Sequence, residues 1–391
     1  MRIGSEFWPT CFHAMRAYLY KIERLSVYFI YLTTRYRHRW SICYAIGGYL
    51  FKMKVGYKIC LYLLPAFYLS LSSYGFTQES SPVPQLHQKA PREINIDLMN
   101  IKNHGLGPVI PGLQQGAVPQ GLSYSKKYNL IFISFYFDKH IPSVVSVIDR
   151  SNNTSIGTFA LKESANSFHY GHVGGLTVDD SFIWVSSNGK LYKYKISDII
   201  TNTPSKALVP VSATETETKA SFVTYYQKVL FVGEFAYGSK YKTKNSHHIE
   251  NRDGVKHYAW VCGYSVNKKR NGLKYILSIR QKVQGICITD KYVFLSISYG
   301  RRNISIIAIY KNPLQEQPHR TVTLENGLKA PLWYLDGKNL IREVDFPPMS
   351  EGITMIDGKL AVLPESGAEK YQNGGLGPLD HIILIDLEEY L

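Results

Sequence analysis

Five repeats of one strand pattern predict an all-β fold, a single β-propeller of five or six blades of antiparallel strands. Each repeat has a short opening strand, a polar turn, a strongly apolar strand, and a third strand in which apolar and polar residues alternate. Aromatic and β-branched residues at period two, interrupted by Gly, Asp and Asn, are typical of antiparallel strands joined by tight turns. The opening strands recur at intervals of 46 to 67 residues, marked by Gly121, Gly175, Ser221, Gly285 and Gly352.

The composition of the 391-residue chain favours the same class. Tyrosine occurs 30 times and aromatic residues make up 13%, which suits strands rather than helical bundles or coiled coils. With 45% hydrophobic and 19% charged residues the chain is globular and not disordered. Five cysteines are too few for a disulfide-dense small fold.

The blade count and the closure of the ring leave some choice. The second strands read LIFISF, FIWVSS, VLFVGE, YVFLSIS and LAVLPES, which gives five clear blades. A sixth blade is possible if residues 208–218 or 321–343 form a degenerate unit. The last repeat ends at its third strand, so an N-terminal strand at residues 93–98 (EINIDL) is predicted to complete it and remove the open edge.

The N-terminal region reads as a targeting segment. Residues 53–75 have the pattern of a secretory signal peptide, with Lys54 and Lys58 before an apolar stretch at residues 59–72 and small residues at the cleavage site. The apolar stretch is too short for a membrane span and contains Pro65. We therefore predict a secreted, periplasmic or cell-envelope protein, attached to a membrane only through an uncleaved N-terminal segment.

The other boundaries follow from this segment. Residues 76–92 are polar and rich in Pro and Ser, typical of a linker, and the propeller is predicted over residues 93–391. Residues 1–52 form a basic leader with two open interpretations. They are either translated from DNA upstream of a start at Met53, or they are an extended leader or anchor with its basic side in the cytoplasm.

The net charge of +15 does not indicate a nucleic-acid partner. Residues 1–58 hold ten of the 45 basic side chains and only two of the 30 acidic ones. Elsewhere Lys and Arg are spread among loops, with small clusters only at residues 268–270 and 301–302, whereas nucleic-acid binders concentrate their charge on one face. We expect a monomer that binds no nucleic acid.

Short motifs also carry a resemblance to known propellers. The openings PQGL, VQGI and SEGI, with strands ending VSS, SIS and PES, resemble secreted bacterial β-propeller proteins of largely unknown function. More distantly they resemble the gluconolactonase and strictosidine-synthase-like six-bladed propellers, over residues 108–387. In the lactonase type, a Glu before the first-strand Gly is a divalent-metal ligand, and Glu351 has that position. The resemblance therefore implies a metal-binding role for Glu351.

The repeats also align candidate functional residues. Equivalent positions of the innermost strands form a ring at the central channel, a usual place for a ligand. Polar residues occur before the opening Gly and after the second strand, although such side chains can also merely satisfy backbone groups between blades. The resulting candidate ligand-binding residues are Gln120, His169, His172, Glu234, Gln284, Tyr299 and Arg301, and the candidate metal ligands are Glu351 and Glu365.

Two functions remain open. One is an exported propeller that binds a small molecule, a carbohydrate or a cell-envelope component at the channel mouth. The alternative is a hydrolase of a lactone or phosphoester that uses Ca²⁺ or another divalent metal held by Glu351 and Glu365. No catalytic residue is assigned, so whether the protein is an enzyme is left open. His247 and His248 lie in a polar insertion and are expected to face solvent; Cys262 and Cys287 could pair or be buried free thiols.

Overall fold

The computed structural model describes residues 83–89, 101–138, 140–201, 206–266 and 272–391, together with the backbone of five short strands between residues 20 and 55. The chain divides into two compact units, Met1–Ser80 and Ser81–Leu391. The described strands of the first unit are β1 Tyr20–Lys21, β2 Tyr28–Phe29, β3 Thr34–Tyr36, β4 Arg39–Ile46 and β5 Tyr49–Val55. Of these, β1 pairs with β2, and β3, β4 and β5 form an antiparallel sheet. Almost all of the predicted signal peptide lies outside the described residues.

The second unit is a five-bladed β-propeller, so the predicted fold class is confirmed. Its first two blades are four-stranded and antiparallel, each running from the inner to the outer strand in chain order. Blade 1 consists of β7 Ala117–Ser125, β8 Leu130–Phe137, β9 Val144–Asp149 and β10 Thr154–Ala160. Blade 2 consists of β13 Gly175–Val178, β14 Phe182–Ser187, β15 Lys190–Lys195 and β16 Ser212–Glu215.

Blades 3 and 4 share an insertion. Blade 3 consists of β17 Phe222–Tyr226, β18 Val229–Gly233, β21 Ala259–Ser265 and β22 Leu273–Ile279, and blade 4 of β23 Val283–Ile288, β24 Tyr292–Ile297, β25 Ser305–Lys311 and β28 Leu340–Phe346. A hairpin of β26 Arg320–Thr323 and β27 Lys329–Tyr334 leaves blade 4 and extends blade 3, where β27 runs parallel to β22. Blade 3 therefore becomes a six-stranded sheet.

Blade 5 closes the ring with a strand from the start of the propeller. It consists of β29 Ser350–Ile356, β30 Lys359–Pro364, β31 His381–Ile385 and β6 His104–Val109, with β6 antiparallel to β31. Closure by an N-terminal strand was predicted, but the strand is β6, and residues 93–98 lie outside the described residues. The inner strands then contact one another around the ring, from β7 through β13, β17, β23 and β29 back to β7.

The two segments considered for a sixth blade belong to other blades. Residues 208–218 contain β16, the outer strand of blade 2, and residues 321–343 contain β27 and most of its partner β26 as well as the start of β28. Both segments were possible blades in sequence because each carries strand-forming residues. They pair with edges of blades already present, so the sixth-blade option is wrong.

Remaining elements are short. The strands β11 Lys162–Ser164 and β12 Ser167–Phe168 form one hairpin and β19 Ile249–Glu250 and β20 Lys256–His257 another. Helix α1 is Ser197–Ile200, and single 3₁₀ turns occur at Asn245–His247, Pro313–Gln315 and Glu369–Tyr371. Among the described residues, no helix combines the length and apolar character needed to cross a membrane. Cys262 and Cys287 are buried free thiols.

Tight turns and apolar side chains explain the blades locally. Asn188 and Gly189 join β14 to β15, and Asp357 and Gly358 join β29 to β30, all with positive φ. Asn-Gly and Asp-Gly are the pairs that two-residue hairpin turns of this kind favour. Between blades, inward side chains such as Phe132 and Phe294 are completely buried in apolar clusters. The blades are therefore held together face to face by hydrophobic burial.

Near the channel the inner strands approach too closely for any side chain. A Cβ on Gly121 would lie 2.4 Å from the backbone N of Leu176, and one on Gly175 would lie 2.3 Å from that of Val223. A Cβ on Gly352 would meet the backbone N of Leu122 at 2.6 Å. Only glycine fits at these positions, because the Cβ atom of any other residue would clash with the backbone of the neighbouring blade.

We expect Gly121→Ala to destabilise the propeller by about 1–3 kcal/mol or more, because the added methyl group would push blades 1 and 2 apart. Chemical denaturation of the purified protein measures this. Gly105→Ala is the matched control, since a Cβ there has nothing within 4 Å. Equal stability of the two variants would show that the inner strands can move apart at little cost.

Candidate functional site

A cavity of about 980 Å³ lies at one end of the central channel. Its wall is formed by residues that begin the inner strands and residues that follow the second strands, as the repeat alignment predicted. Eight of the nine candidate residues line it: Gln120, His172, Glu234, Gln284, Tyr299, Arg301, Glu351 and Glu365. The structure thus brings residues from distant parts of the chain, in blades 1 to 5, to one place.

His169 is the candidate that the structure does not bring to the cavity wall. Its side chain is buried, and its ring contacts the ring of Tyr192 edge-on at 5.4 Å. Its backbone N–H donates to the carbonyl of Leu161, and its own carbonyl accepts from the N–H of Ser143. Burial lowers the pKa of His169, so its imidazole is kept neutral.

Three of the lining residues are presented by β-bulges. The pairing register shifts in β7 between Pro119 and Leu122, in β23 between Val283 and Gly285, and in β29 between Ser350 and Ile353. The bulged residues include Gln120, Gln284 and Glu351. A bulge re-aims a side chain away from the regular alternation of a strand, which explains how these polar residues leave the apolar interior of the ring.

Glu351 and Glu365 form a buried carboxyl pair in the cavity wall. The two residues are only 4% and 8% exposed, and their carboxyls are hydrogen-bonded to each other. Two amides complete the group: Gln284 Nε2 donates to Glu351 Oε1 at 2.9 Å, and Gln120 Nε2 donates to Glu365 Oε2 at 3.2 Å. The two carboxyls are thus adjacent, with one amide on each side, and the four residues come from blades 1, 4 and 5.

Burial and mutual repulsion determine the protonation of this pair. Desolvation raises the pKa of Glu351 well above its ordinary value, and the nearby Glu365 raises it further. Desolvation also raises the pKa of Glu365, to about 8, against the opposing effects of the hydrogen bond from Glu351 and the charge of Lys370. Two adjacent carboxyls cannot both ionise cheaply, so the pair retains a proton near neutral pH.

His172 extends the hydrogen-bond network on the blade 1 side. Its Nδ1 lies 3.2 Å from Gln120 Oε1, and its ring packs on Tyr136 with centroids 3.9 Å apart. Gln120 donates through its amide nitrogen, so its oxygen accepts from His172 Nδ1–H. Burial and the charge of Lys370 lower the pKa of His172, so its imidazole is neutral at neutral pH. With the proton on Nδ1, Nε2 is a hydrogen-bond acceptor.

A second group of polar residues surrounds Lys370 beside the cavity. The Lys370 ammonium lies 2.7 Å from Asp138 Oδ1, and the hydroxyls of Tyr136 and Tyr371 are 3.1 Å apart. Asp138 has the same place in its blade as Glu365, but it is paired with Lys370 and does not line the cavity. Arg301 stacks over the Tyr371 ring at 5.0 Å from its centroid.

The blade 3 side contains an interaction that sequence reasoning missed. His247 was expected to face solvent, but it is completely buried, with Nδ1 2.5 Å from Glu234 Oε1 and its ring stacked on Trp260 at 4.0 Å. That expectation is wrong because the polar insertion folds back onto the buried Glu234. His248 is half-buried, with Nε2 3.0 Å from the hydroxyl of Thr243.

Aromatic and basic side chains complete the wall. Phe235 and Tyr241 meet edge-on with centroids 5.0 Å apart, and the ring of Tyr299 lies 4.4 Å from that of Tyr237. Lys219, Lys240 and Lys244 also line the cavity. Sequence reasoning missed Phe235 and Tyr241. The only signal for Phe235 was its position directly after the candidate Glu234, whereas Tyr241 comes from the insertion, which has no equivalent in the other blades.

The geometry of the carboxyl pair bears on its chemistry. Glycoside hydrolases separate their two carboxyls by about 5–5.5 Å or 6.5–9.5 Å, whereas Glu351 and Glu365 are joined by a direct hydrogen bond. Within the described ranges, no group of three or more His, Cys, Asp or Glu side chains is arranged to hold a metal. The Gln120 and Gln284 N–H groups point at the carboxyl oxygens, where a cation would need lone pairs. As they stand, these residues do not fit a calcium ion.

Comparison with known proteins yields structural matches only. No family profile and no curated protein matches the chain. A gluconolactonase from Xanthomonas campestris matches with 9% identity over 77% of this chain and 86% of its own, at a TM-score of 0.34. A member of the DUF4221 family from Bacteroides vulgatus matches with 8% identity over 73% of this chain and 96% of its own, at a TM-score of 0.35. Hydrazine synthase from Kuenenia stuttgartiensis matches with 10% identity over 62% of this chain, at a TM-score of 0.33. The match covers only 55% of the hydrazine synthase chain. Matches at this level say nothing about ligand or reaction.

The carboxyl pair makes the stability of the protein depend on pH. Because the pKa of Glu365 rises from 4.5 to about 8 on folding, the folded state binds the proton more tightly than the unfolded state. The stabilising contribution is therefore fully present below about pH 4.5 and is lost as the pH rises to about 8, at no more than about 1.4 kcal/mol per pH unit for one proton.

We expect Glu365→Gln to reduce this dependence, because an amide fits between Gln120 and Glu351 without titrating, so that only Glu351 of the pair still titrates. Thermal melts of the wild type and the variant from pH 5 to 8 test this. Glu369→Gln, at an exposed position, is the control and should retain the wild-type slope. The same slope in the wild type and in Glu365→Gln would contradict the raised pKa.

Proposed function

We propose that this propeller is a ligand-binding protein that holds a polyhydroxylated, carbohydrate-type ligand at the mouth of its central channel. The observation that carries this proposal is the hydrogen-bonded group of Gln120, Glu365, Glu351 and Gln284 in the wall of a large cavity. Amide and carboxyl groups accept and donate hydrogen bonds in the paired manner that vicinal hydroxyls require.

The aromatic side chains support the same ligand class. Phe235, Tyr241, Tyr299 and Tyr371 line the cavity, and their rings offer apolar faces beside polar hydroxyls. Binding pockets combine such apolar walls with a few convergent polar groups, and a sugar ring presents an apolar C–H face and polar edges. Export, which the N-terminal pattern predicts, would expose the cavity to extracellular or cell-envelope carbohydrate.

A metal-dependent hydrolase is the second candidate. The observation that favours it is the adjacency of two carboxyls, one of them at the position where the lactonase-type propellers hold a metal ligand. If Gln120 and Gln284 turned their amide oxygens inward, two carboxylates and two carbonyl-type oxygens would face a common point. A divalent cation there would displace the shared proton and polarise a lactone or phosphoester oxygen.

We expect Gln284→Leu to weaken carbohydrate binding at least about ten-fold, because it removes one donor and leaves Glu351 with an unsatisfied oxygen. Isothermal titration calorimetry against a panel of mono- and oligosaccharides measures the affinity. Gln317→Leu is the matched control, since Gln317 is exposed and lies outside the cavity wall. Failure of every saccharide to bind the folded wild type would refute the proposal.

The response of the protein to Ca²⁺ and other divalent cations distinguishes between the two functions. Under the binding proposal, neither Ca²⁺, Mg²⁺ or Zn²⁺ nor a chelator should change the melting temperature of the purified protein. Metal analysis and thermal melts test this, with Glu351→Gln as the comparison. A stoichiometric metal in the wild type that is absent from Glu351→Gln would establish the metal site and favour the hydrolase.

A further inference from the structure

The insertion between β18 and β21 of blade 3 has no counterpart in the other blades and forms part of the cavity wall. It contributes Lys240, Tyr241 and Lys244. The buried contact between His247 and Glu234 fixes its far end, and the hydroxyl of Thr243 donates to the carbonyl of Tyr258. The insertion is thus held against the blade at two points, and this brings Lys240 and Lys244 to the cavity wall.

The acidic side chains of the cavity are already paired. Glu217 lies 2.5 Å from the Lys244 ammonium, which in turn lies 3.9 Å from Glu325. Glu234 contacts His247. Glu351 and Glu365 are hydrogen-bonded to each other and share a retained proton near neutral pH. Little negative charge therefore remains to balance other cations around the cavity.

Three cations at the cavity have no carboxylate within ion-pair distance among the described residues: Lys219, Lys240 and Arg301. Lys240 lies over the Tyr241 ring at 5.1 Å and Arg301 over that of Tyr371 at 5.0 Å. Arg301 Nη1 also donates to the carbonyl of Asn373 at 3.3 Å. Lys240 and Arg301 thus each lie next to an aromatic ring of the cavity wall, so an anionic group of a ligand that enters beside these rings would meet a cation.

We infer that the ligand is an acidic carbohydrate, with its hydroxyls at the Gln120, Glu365, Glu351 and Gln284 group and its anionic group at Lys240 and Arg301. This inference rests on the proposed carbohydrate-binding function and specifies the charge of the ligand. A carboxylate, sulfate or phosphate substituent on the sugar would provide the same chemistry. Guanidinium and ammonium groups bind all three, so the substituents must be distinguished by experiment.

The experiment compares oligogalacturonides with the same oligomers after methyl esterification, which keeps the sugar and removes its charge. Glucose 6-phosphate and dextran sulfate oligomers test the other anionic substituents, and inorganic phosphate tests the anion alone. We expect the acidic sugars to bind at least about five-fold more tightly than the esters, with an advantage that falls as salt is raised. The strongest of the acidic probes identifies the substituent.

Lys240→Gln with Arg301→Gln should remove this advantage, because it should weaken the binding of the acidic oligomers at least about five-fold more than the binding of the neutral esters. The matched control, Lys274→Gln with Arg320→Gln, removes the same charge from exposed positions outside the cavity wall. Equal binding of acidic and esterified oligomers, or equal loss in both double variants, would overturn the inference while the carbohydrate proposal stands. Inorganic phosphate binding as tightly as the sugars would overturn it as well. If no saccharide binds, the proposed function itself fails.

Discussion

The close approach of backbone to backbone around the channel is the constraint on which the rest of the propeller depends. At Gly121, Gly175 and Gly352 the neighbouring blade leaves no space for a Cβ atom. This packing brings five inner strands into a narrow ring, and the ring in turn determines where the residues next to each glycine must lie. Gln120 and Glu351 immediately precede two of these glycines, so the contact that holds the blades together also positions the cavity wall. The stability of the propeller and the geometry of its cavity therefore depend on neighbouring residues of the same inner strands.

The bulges at these positions explain how a buried ring can carry polar groups. In regular strands, Gln120, Gln284 and Glu351 would alternate with apolar neighbours and enter the space between blades, where an unpaired carboxyl is costly. The register shift turns them toward one another and toward Glu365, so that each carboxyl has an amide donor. The remaining cost of placing two carboxyls together is met by a retained proton. The pair therefore behaves as one titrating unit rather than two separate acids.

Repeat periodicity was enough to predict the propeller and most of its cavity wall, because strand alternation and turn residues are local signals. Closure by β6 escaped prediction since its sequence, HGLGPV, has two glycines and a proline and is recognised as a strand only by its partner β31. The burial of His247 escaped for a related reason: nothing in a polar insertion shows that it will fold onto Glu234. Segments that repeat were predictable, whereas those that occur once were not.

The protonation of the carboxyl pair also affects how strongly the basic residues of the cavity can attract an anion. While the pair keeps its proton, Lys219, Lys240 and Arg301 dominate the local field, and an anion on the ligand is attracted. Loss of the proton would add a negative charge at the hydroxyl-binding group, within the same low-dielectric pocket, and would oppose that anion. Desolvation of Glu351 and Glu365 therefore does more than hold a proton. It lets the cavity receive an acidic ligand, because burial keeps a proton on the carboxyl pair and so reduces the negative charge that would repel the ligand.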